Sequence, residues 1–552
     1  MLRAYASSDV RRAEGELVAS APTDALMKQA ADGVAAAVSD QLTLAGATVH
    51  GSTVLALVGG GDNGGDALYA AKYLADSGAK VQALLVSRKV HQRALAAAKA
   101  AGVQILQVAS HTSRAQLRAL VAKAANRAGV WIDGIVGTGG RGPLRSVAAT
   151  VVGLLISIRD SSPDEPIVVA IDIPSGLGGE DGKVVGPHLA ADVTVTMGRM
   201  KNPSLLPPAC LSFGRVEVVE LGPIEAPVSA CRLGRADVAD LWQVPGRADH
   251  KYTRGVVEVV AGSDAYPATG IICAKAAARA GAGMVRVNVP AVAAPSLFAV
   301  LPEAVPGAGR SQAVVVGPGL DLQDEGRVDE MVRAATKAIL RGLPVVVDAG
   351  GISIIDRILA RLPERAESMG NRPVRRVRKF APNVVLTPHA GEAAQLATRL
   401  GFKQSAGGVA RSDIEAGPAK WAGLLAEKTG ATVLLKGPVT VVCGPEGDTF
   451  TQAEAPGWTA TAGAGDALAG IVGTVLAMLQ AEAEAAGPAL GAGQIAAGAA
   501  AGTWVHSVAA RLAAGLDAEE PYARRPAKVG RPILASDIVE AVPRAVEFAL
   551  AP

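Results

Sequence analysis

The chain has 552 residues, with Lys+Arg 54 against Asp+Glu 51 and a formal net charge of +3. At ~150 residues per domain that length accommodates three to four domains or two large α/β ones, and so balanced a charge argues against a nucleic-acid surface. A hydrophobic content of 49% with 19% charged residues excludes a disordered chain, while 3% aromatics leaves the cores to Ala, Val, Leu and Ile.

The opening MLRAYASSDVRRAEGELV is charged and lacks an apolar core, so no secretory signal is expected. Short β-branched runs then alternate with alanine-rich stretches. Val54–Val58, Val81–Val86, Val130–Ile132 and Ile167–Ile171 read as buried parallel strands, with helical patterns such as Asp66–Ser77 and Arg93–Ala101 between them. The segment Leu221–Lys251 is rich in Pro and charge and reads as a boundary near residues 225–235. A second series follows: VVEVVAG from Val256, then AVVVGPG, PVVVDAG, VVLTP and ATVLLKG. The fold class predicted is α/β, with two doubly wound domains over residues 1–225 and 235–552. A basic insert, Arg372–Lys379, reads as a solvated loop. The most apolar C-terminal stretch, Ala467–Leu479, is too short for a bilayer and is followed by Glu482 and Glu484, so no membrane contact is predicted. Cys210, Cys231, Cys273 and Cys443 form no CxxC pair, which argues against a zinc site or disulfide scaffold and suits a reducing cytoplasm.

Strand Val54–Val58 runs directly into GGGDNGGDAL, Gly59–Leu68, and a helix follows. Bare amides and the helix dipole make such a junction an anion site. Asp62, Asn63 and Asp66 exceed what a tight turn needs, and the loop is not the GxGxxG of a dehydrogenase. Two further loops leave strands: WIDGIVGTGGRGP, with Asp133 and Arg141, and AIDIPSGL, with Asp172 and Ser175. An Asp ending an apolar strand is costly to bury unless it is paired or coordinates a cation. These three loops, preceded by ALMKQAADGVA, resemble the YjeF N-terminal family, the NAD(P)H-hydrate epimerases, over roughly residues 10–222. The family's first loop usually reads NNGGD, where this chain has Asp62. The resemblance implies a Rossmann-like domain. In it Asp62, Asn63, Gly64, Gly65, Asp66, Gly137, Thr138, Gly139, Gly140, Arg141, Gly142, Pro143 and Asp172 would contact the hydrate. It also implies that Asn63, Asp133 and Ser175 hold a potassium ion, and oxygen ligands do suit a hard cation. In the hydrate, the ring nitrogen can expel the C6 hydroxyl as water, and water can return on either face. A carboxylate over C6 would move the protons, and Asp172 is the candidate.

In the second half, TAGAGDALAG (Thr461–Gly470) opens a helix with small residues whose amides face developing phosphoryl charge, and Asp466 stands in the first turn as a base. No Walker A loop is present. VVLTPHAGEAAQL places His389 and Glu392 beyond a strand, and LLKGPVTVV places Lys436 at a strand end. GAGD resembles the ribokinase-like superfamily. With TPHAGE and KGPVT it resembles the ADP/ATP-dependent NAD(P)H-hydrate dehydratases, over roughly residues 235–550. The resemblance implies a hydrate pocket at Thr269, Gly319, His389 and Asp466. It implies an adenine-nucleotide site at Lys436, Gly437, Pro438, Val439, Thr440 and Gly465, with magnesium accompanying ADP or ATP. The chain departs from the family at Pro267–Gly270, at Ala464 and at VDAGG (Val347–Gly351).

The function expected is metabolite repair: epimerisation of R and S NADH or NADPH hydrate, and dehydration of the S epimer at the expense of ADP or ATP. A homo-oligomer is the family's expectation. The rival is a ribokinase-type small-molecule kinase fused to a non-catalytic YjeF-like binding domain.

Overall fold

The computed structural model describes residues 1–108, 113–140, 142–163, 165–177, 180–367, 375–405, 407–519 and 529–551. The chain divides between Ala230 and Cys231 into two compact units. In the first, seven parallel strands lie in the order Gln104–Gln107, Lys80–Leu85, Thr53–Val58, Val130–Gly134, Ile167–Ile171, Val193–Met197, Arg215–Val219. The central strands Thr53–Val58 and Ile167–Ile171 are mostly apolar on both faces. Val54, Ala56 and Val58 pack under Ala25–Leu44 and Asp62–Asp76, while Leu55 and Leu57 pack on the opposite side with Val151 and Leu155 of Ser146–Ser161. Helices on both faces of a parallel sheet are what continuous Val/Leu/Ile runs require.

Nine neighbouring strands of the second, 11-stranded sheet run Thr449–Gln452, Thr440–Cys443, Thr432–Leu435, Val384–Leu386, Val345–Val347, Ala313–Val316, Val256–Val260, Met284–Asn288, Val305–Pro306. The first three are antiparallel neighbours, and from Thr432–Leu435 onward all pairs are parallel. One face carries Ala268–Arg279, Ala464–Ala486, Ala492–Ala513 and Ala535–Leu550, and the other carries Glu325–Leu340, Ala390–Arg399 and Pro418–Thr429.

Three local expectations change. The first glycine motif is a helix start and not a loop: the helix runs Asp62–Asp76, four residues earlier than its pattern suggested. Its glycines are tolerated because a side chain at Gly64 would lie 2.2 Å from the Gly59 carbonyl oxygen. The boundary segment contains a strand, Val228–Arg232, whose Cys231 pairs with Phe450, and a helix, Arg235–Leu241. Of the basic insert, residues 372–374 lie outside the described residues. Arg375–Val377 pairs antiparallel with Arg365–Glu367 instead of forming a loop.

Among the described residues one helix, Ala464–Ala486, is long and apolar enough to cross a membrane. It continues through Glu482 and Glu484, further than its apolar run suggested, and 83% of its most apolar window is buried, as a core helix requires. It approaches Ala268–Arg279 at Gly470, where a Cβ would stand 2.3 Å from the Cys273 carbonyl oxygen. Gly470→Ala must therefore push two helices apart, at about 1–3 kcal/mol. A thermal melt of the variant should fall by several degrees, and an unchanged melt would show that the helices separate freely.

Candidate functional site

The first sheet changes winding direction between Thr53–Val58 and Val130–Gly134, and the loops leaving those strands part there. A cleft of 810 Å³ opens at this point, lined by Gly60–Asn63, Asp66, Ile135–Gly140, Asp172, Arg11, Glu14 and Met27. Asp172 follows Ile167–Ile171 with φ +67°, a region few non-glycine residues adopt. Its amide is tied to the Val195 carbonyl at 2.7 Å, and its carboxylate receives Lys201 Nζ at 2.7 Å, Thr138 N at 3.1 Å and Thr196 Oγ1 at 3.3 Å. Lys201 is 2% exposed, donates also to the Met197 carbonyl at 2.6 Å, and lies 3.5 Å from Glu14. Burial alone would raise the Asp172 carboxyl. The Lys201 charge and the bonds from Lys201 and Thr138 outweigh it and hold the carboxyl below the usual range.

Asp66, in the second turn of Asp62–Asp76, behaves oppositely. Burial, and then the charges of Asp172, Asp62 and Glu14, push it well above the usual carboxylate range. Burial also raises Glu14. Arg11 reaches the Thr138 carbonyl and anchors the second glycine loop. Asp62 and Asn63 face the cleft, whereas Gly64 and Gly65 are buried against Gly59 and Met27. Gly142 and Pro143 are exposed, beyond the residues that line the cleft, and Arg141 lies outside the described residues.

Asp133 and Ser175 meet directly. The buried Asp133 carboxylate accepts Ser175 Oγ at 2.6 Å, Ser175 N at 2.8 Å and Ile135 N at 3.3 Å. No basic side chain among the described residues compensates it, and burial raises its pKa against those bonds. Asn63 Nδ2 donates to the Ile171 carbonyl at 2.7 Å, which packs the amide against Gly137. One uncompensated buried carboxylate among neutral oxygens fits a monovalent hard cation. Among the described residues no group of three His, Cys, Asp or Glu side chains could hold a metal ion.

In the second unit Asp466 lies in the first turn of Ala464–Ala486, behind Gly463 at φ +87°. Burial and the charge of Asp348 push its carboxyl up to about 7, against the pull of Lys436. Lys436 follows strand Thr432–Leu435. Its Nζ lies 2.7 Å from Asp348 Oδ1 and beside Gly465. Burial opposes its charge, but Asp348, Glu392 and Asp466 more than compensate and raise its pKa. Gly437, Pro438 and Val439 form the turn into Thr440–Cys443, and Val439 and Thr440 are buried. His389 caps helix Ala390–Arg399: its Nδ1 accepts Gly391 N at 3.0 Å and Glu392 N at 3.2 Å, while the Glu392 carboxylate accepts His389 N. Residues His389 and Lys436 pair as an isolated parallel bridge. Thr269 and Gly319 touch, for a Cβ on Gly319 would fall 1.9 Å from Thr269 Oγ1.

The two units match family models described as YjeF-related protein N-terminus, over residues 23–203, and NAD(P)H-hydrate dehydratase, over residues 257–519. The bifunctional NAD(P)H-hydrate repair enzyme of Mycobacterium tuberculosis is 38% identical over 483 residues, 86% of this chain and 89% of that protein. Its counterpart in Mycobacterium leprae is 38% identical over 490 residues, 87% and 90% of the two chains. The chain belongs to the family of bifunctional NAD(P)H-hydrate repair enzymes. Among solved structures, the ADP/ATP-dependent NAD(P)H-hydrate dehydratase of Bacillus subtilis, co-crystallised with ATP/Mg2+, is 22% identical with a TM-score of 0.43, covering 58% of this chain and 98% of that one. The family does not favour the kinase with a non-catalytic partner domain.

Two residues of this repair enzyme escaped the sequence reading. Asp348 ends the apolar run PVVVD, the signal that drew attention to Asp133 and Asp172, yet VDAGG registered only as a departure from the family. Lys201, in GRMKNPS, reads as an ordinary surface lysine, and only the fold buries it against Asp172. Lys201→Met leaves that carboxylate buried and unpaired, so stability near pH 7 should fall by about 3–5 kcal/mol. Without Lys201 the folded-state pKa of Asp172 rises above its unfolded value. Protonation then favours the folded variant, and the deficit should narrow as pH falls toward ~4. Melts at pH 7 and pH 5 check this, and an equal deficit at both would dissociate Lys201 from the charge on Asp172.

Proposed function

We propose that the first unit interconverts the R and S epimers of NADH or NADPH hydrate and that the second dehydrates the S epimer, turning ADP into AMP and phosphate or using ATP likewise. The observation that carries the reading is Asp466. It is a half-buried carboxyl brought to about 7 at a helix N-terminus, beside a lysine and a strand-end turn. Such a group is a base near neutral pH, and the first amides of the helix have no intrahelical partners and can take up phosphoryl charge.

Hydroxide leaves poorly, and the terminal phosphoryl group of the nucleotide turns it into a phosphate ester. Asp466 deprotonates the C6 hydroxyl for in-line attack, while the amides at Gly465 and Asp466 and the Lys436 ammonium stabilise the transferring group. Loss of phosphate, driven by the ring nitrogen, and of a C5 proton restores the dihydropyridine. Thr269, Gly319 and His389 hold the hydrate, and the Lys436–Thr440 turn holds the nucleotide. Magnesium accompanying the nucleotide would neutralise phosphate charge.

In the first unit the ring nitrogen expels the C6 hydroxyl, and Asp172, kept ionised by Lys201, takes the proton of the water that returns. The amides of Asp62 and Asn63, and those of Gly137 and Gly139, support the phosphates. A potassium ion would be held by Asn63, Asp133 and Ser175, supplying the positive charge that Asp133 lacks. Joining the units in one chain answers a chemical need, since a dehydratase alone strands the R epimer.

The reading is tested by incubating the protein with mixed NADH hydrate epimers and ADP while following the absorbance of restored NADH. No recovery would refute it. Asp466→Asn should abolish dehydration and spare epimerisation. In the wild type, kcat/KM for dehydration should climb with pH through about 7, because the base acts ionised. Near-full recovery in the variant would remove Asp466 from that role. Asp172→Ala should recover NADH quickly from the S epimer and then creep, because general acid–base help is worth ~10²–10⁴-fold. Single-phase recovery at the wild-type rate, with a normal melt, would assign the proton transfer elsewhere.

A further inference from the structure

Expelling the C6 hydroxyl as water requires a proton, and the first unit's cleft contains a second carboxyl suited to give it. Asp172 is a poor acid. Three donors, from Lys201, Thr138 and Thr196, converge on its carboxylate, and each favours the anion. Glu14, on helix Ser7–Ser20, lies 3.5 Å from the same lysine. Asp66 lacks all of this. It is 6% exposed and lines the cleft, and none of the hydrogen bonds or ion pairs among the described residues involves its carboxyl. The charges that act on it most are Asp62 on its own helix, Asp172 beyond strand Ile167–Ile171 and Glu14, with Lys201, beyond Val193–Met197, opposing them. A carboxyl buried among carboxylates is tolerated as the neutral acid. The sheet order places Asp66 and Asp172 after the two strands that flank Val130–Gly134, and both line the cleft.

We propose that Asp66 donates the proton to the departing C6 hydroxyl, while Asp172 accepts one from the incoming water; this rests on the epimerase reading. The balance closes. The Asp66 proton leaves with the hydroxyl as water as the C6–O bond breaks and the ring nitrogen becomes an iminium. A second water forms the new C6–O bond and loses a proton to Asp172. The protein is left with ionised Asp66 and protonated Asp172, the form that runs the reverse conversion, and exchange with solvent resets it. No oxidant or other reactant is required.

The test follows the full chain converting R to S NADH hydrate by chromatography, without nucleotide, across a pH series. The wild-type rate should fall on the acid side as Asp172 becomes protonated and on the alkaline side as Asp66 loses its proton. Asp66→Asn should lower kcat ~10²–10⁴-fold with KM little changed and abolish the alkaline limb, and Asp66→Glu should restore part of the rate. An Asp66→Asn variant within about threefold of wild type, or one whose residual rate keeps the alkaline limb, overturns the proposal. If a melt shows that the amide variant does not fold, the wild-type profile decides. A kcat that stays flat to about pH 9, near the upper end for buried carboxyls, also overturns it. A wild-type protein that cannot interconvert the epimers overturns instead the epimerase reading on which the proposal stands.

Discussion

A helix can present its first turn to a ligand only where its packing holds that turn in place, and in this chain glycine sets the packing distance. In the first unit the start of Asp62–Asp76 rests on the Gly59 carbonyl and on Met27, with Gly64 and Gly65 as the points of contact. In the second, Ala464–Ala486 is pressed onto the Cys273 carbonyl at Gly470 and onto Val315 at Gly473. Each acidic group is placed by such a contact: Asp66 directly after Gly65, and Asp466 one turn before Gly470. With 3% aromatic residues, both cores are filled by small aliphatic side chains, and backbone-to-backbone approach takes over the spacing that large side chains provide elsewhere.

Upon that spacing both units impose the same electrostatic division. A lysine drawn out of solvent clamps one aspartate at 2.7 Å, Lys201 on Asp172 and Lys436 on Asp348. A second aspartate nearby, Asp66 or Asp466, is left without a cation of its own, and burial raises its pKa. Two carboxyls in contrasting surroundings divide into an anion and a group able to carry a proton. The units reach this arrangement with different strands and different sequence motifs, so it reflects a shared chemical requirement more than a shared local structure.

The doubly wound architecture was legible because β-branched runs such as Val54–Val58 and Ile167–Ile171 must be buried on both faces. The start of Asp62–Asp76 was not, since glycine disfavours helix in isolation and only the contact with Gly59 reverses that preference. Likewise Val228–Arg232 hid in a polar, proline-containing stretch, because its pairing partner near Phe450 is remote in sequence. Asp172 and Asp466 stood out locally, one at the end of an apolar run and the other in a run of small residues. Lys201 and Asp348 acquire meaning from tertiary approach, which no local pattern encodes.

The capping role of His389 has a consequence for its tautomer. Nδ1 accepts two backbone amides, so the lone pair there is committed and the neutral ring must carry its proton on Nε2. That nitrogen, 3.7 Å from a Glu392 oxygen, belongs to a side chain that is 60% exposed. Towards any hydroxyl or phosphate that approaches, the imidazole therefore shows a donor and not a base. A histidine in this position can orient or grip an oxygen, but removing a proton from one would first require dismantling the start of its own helix.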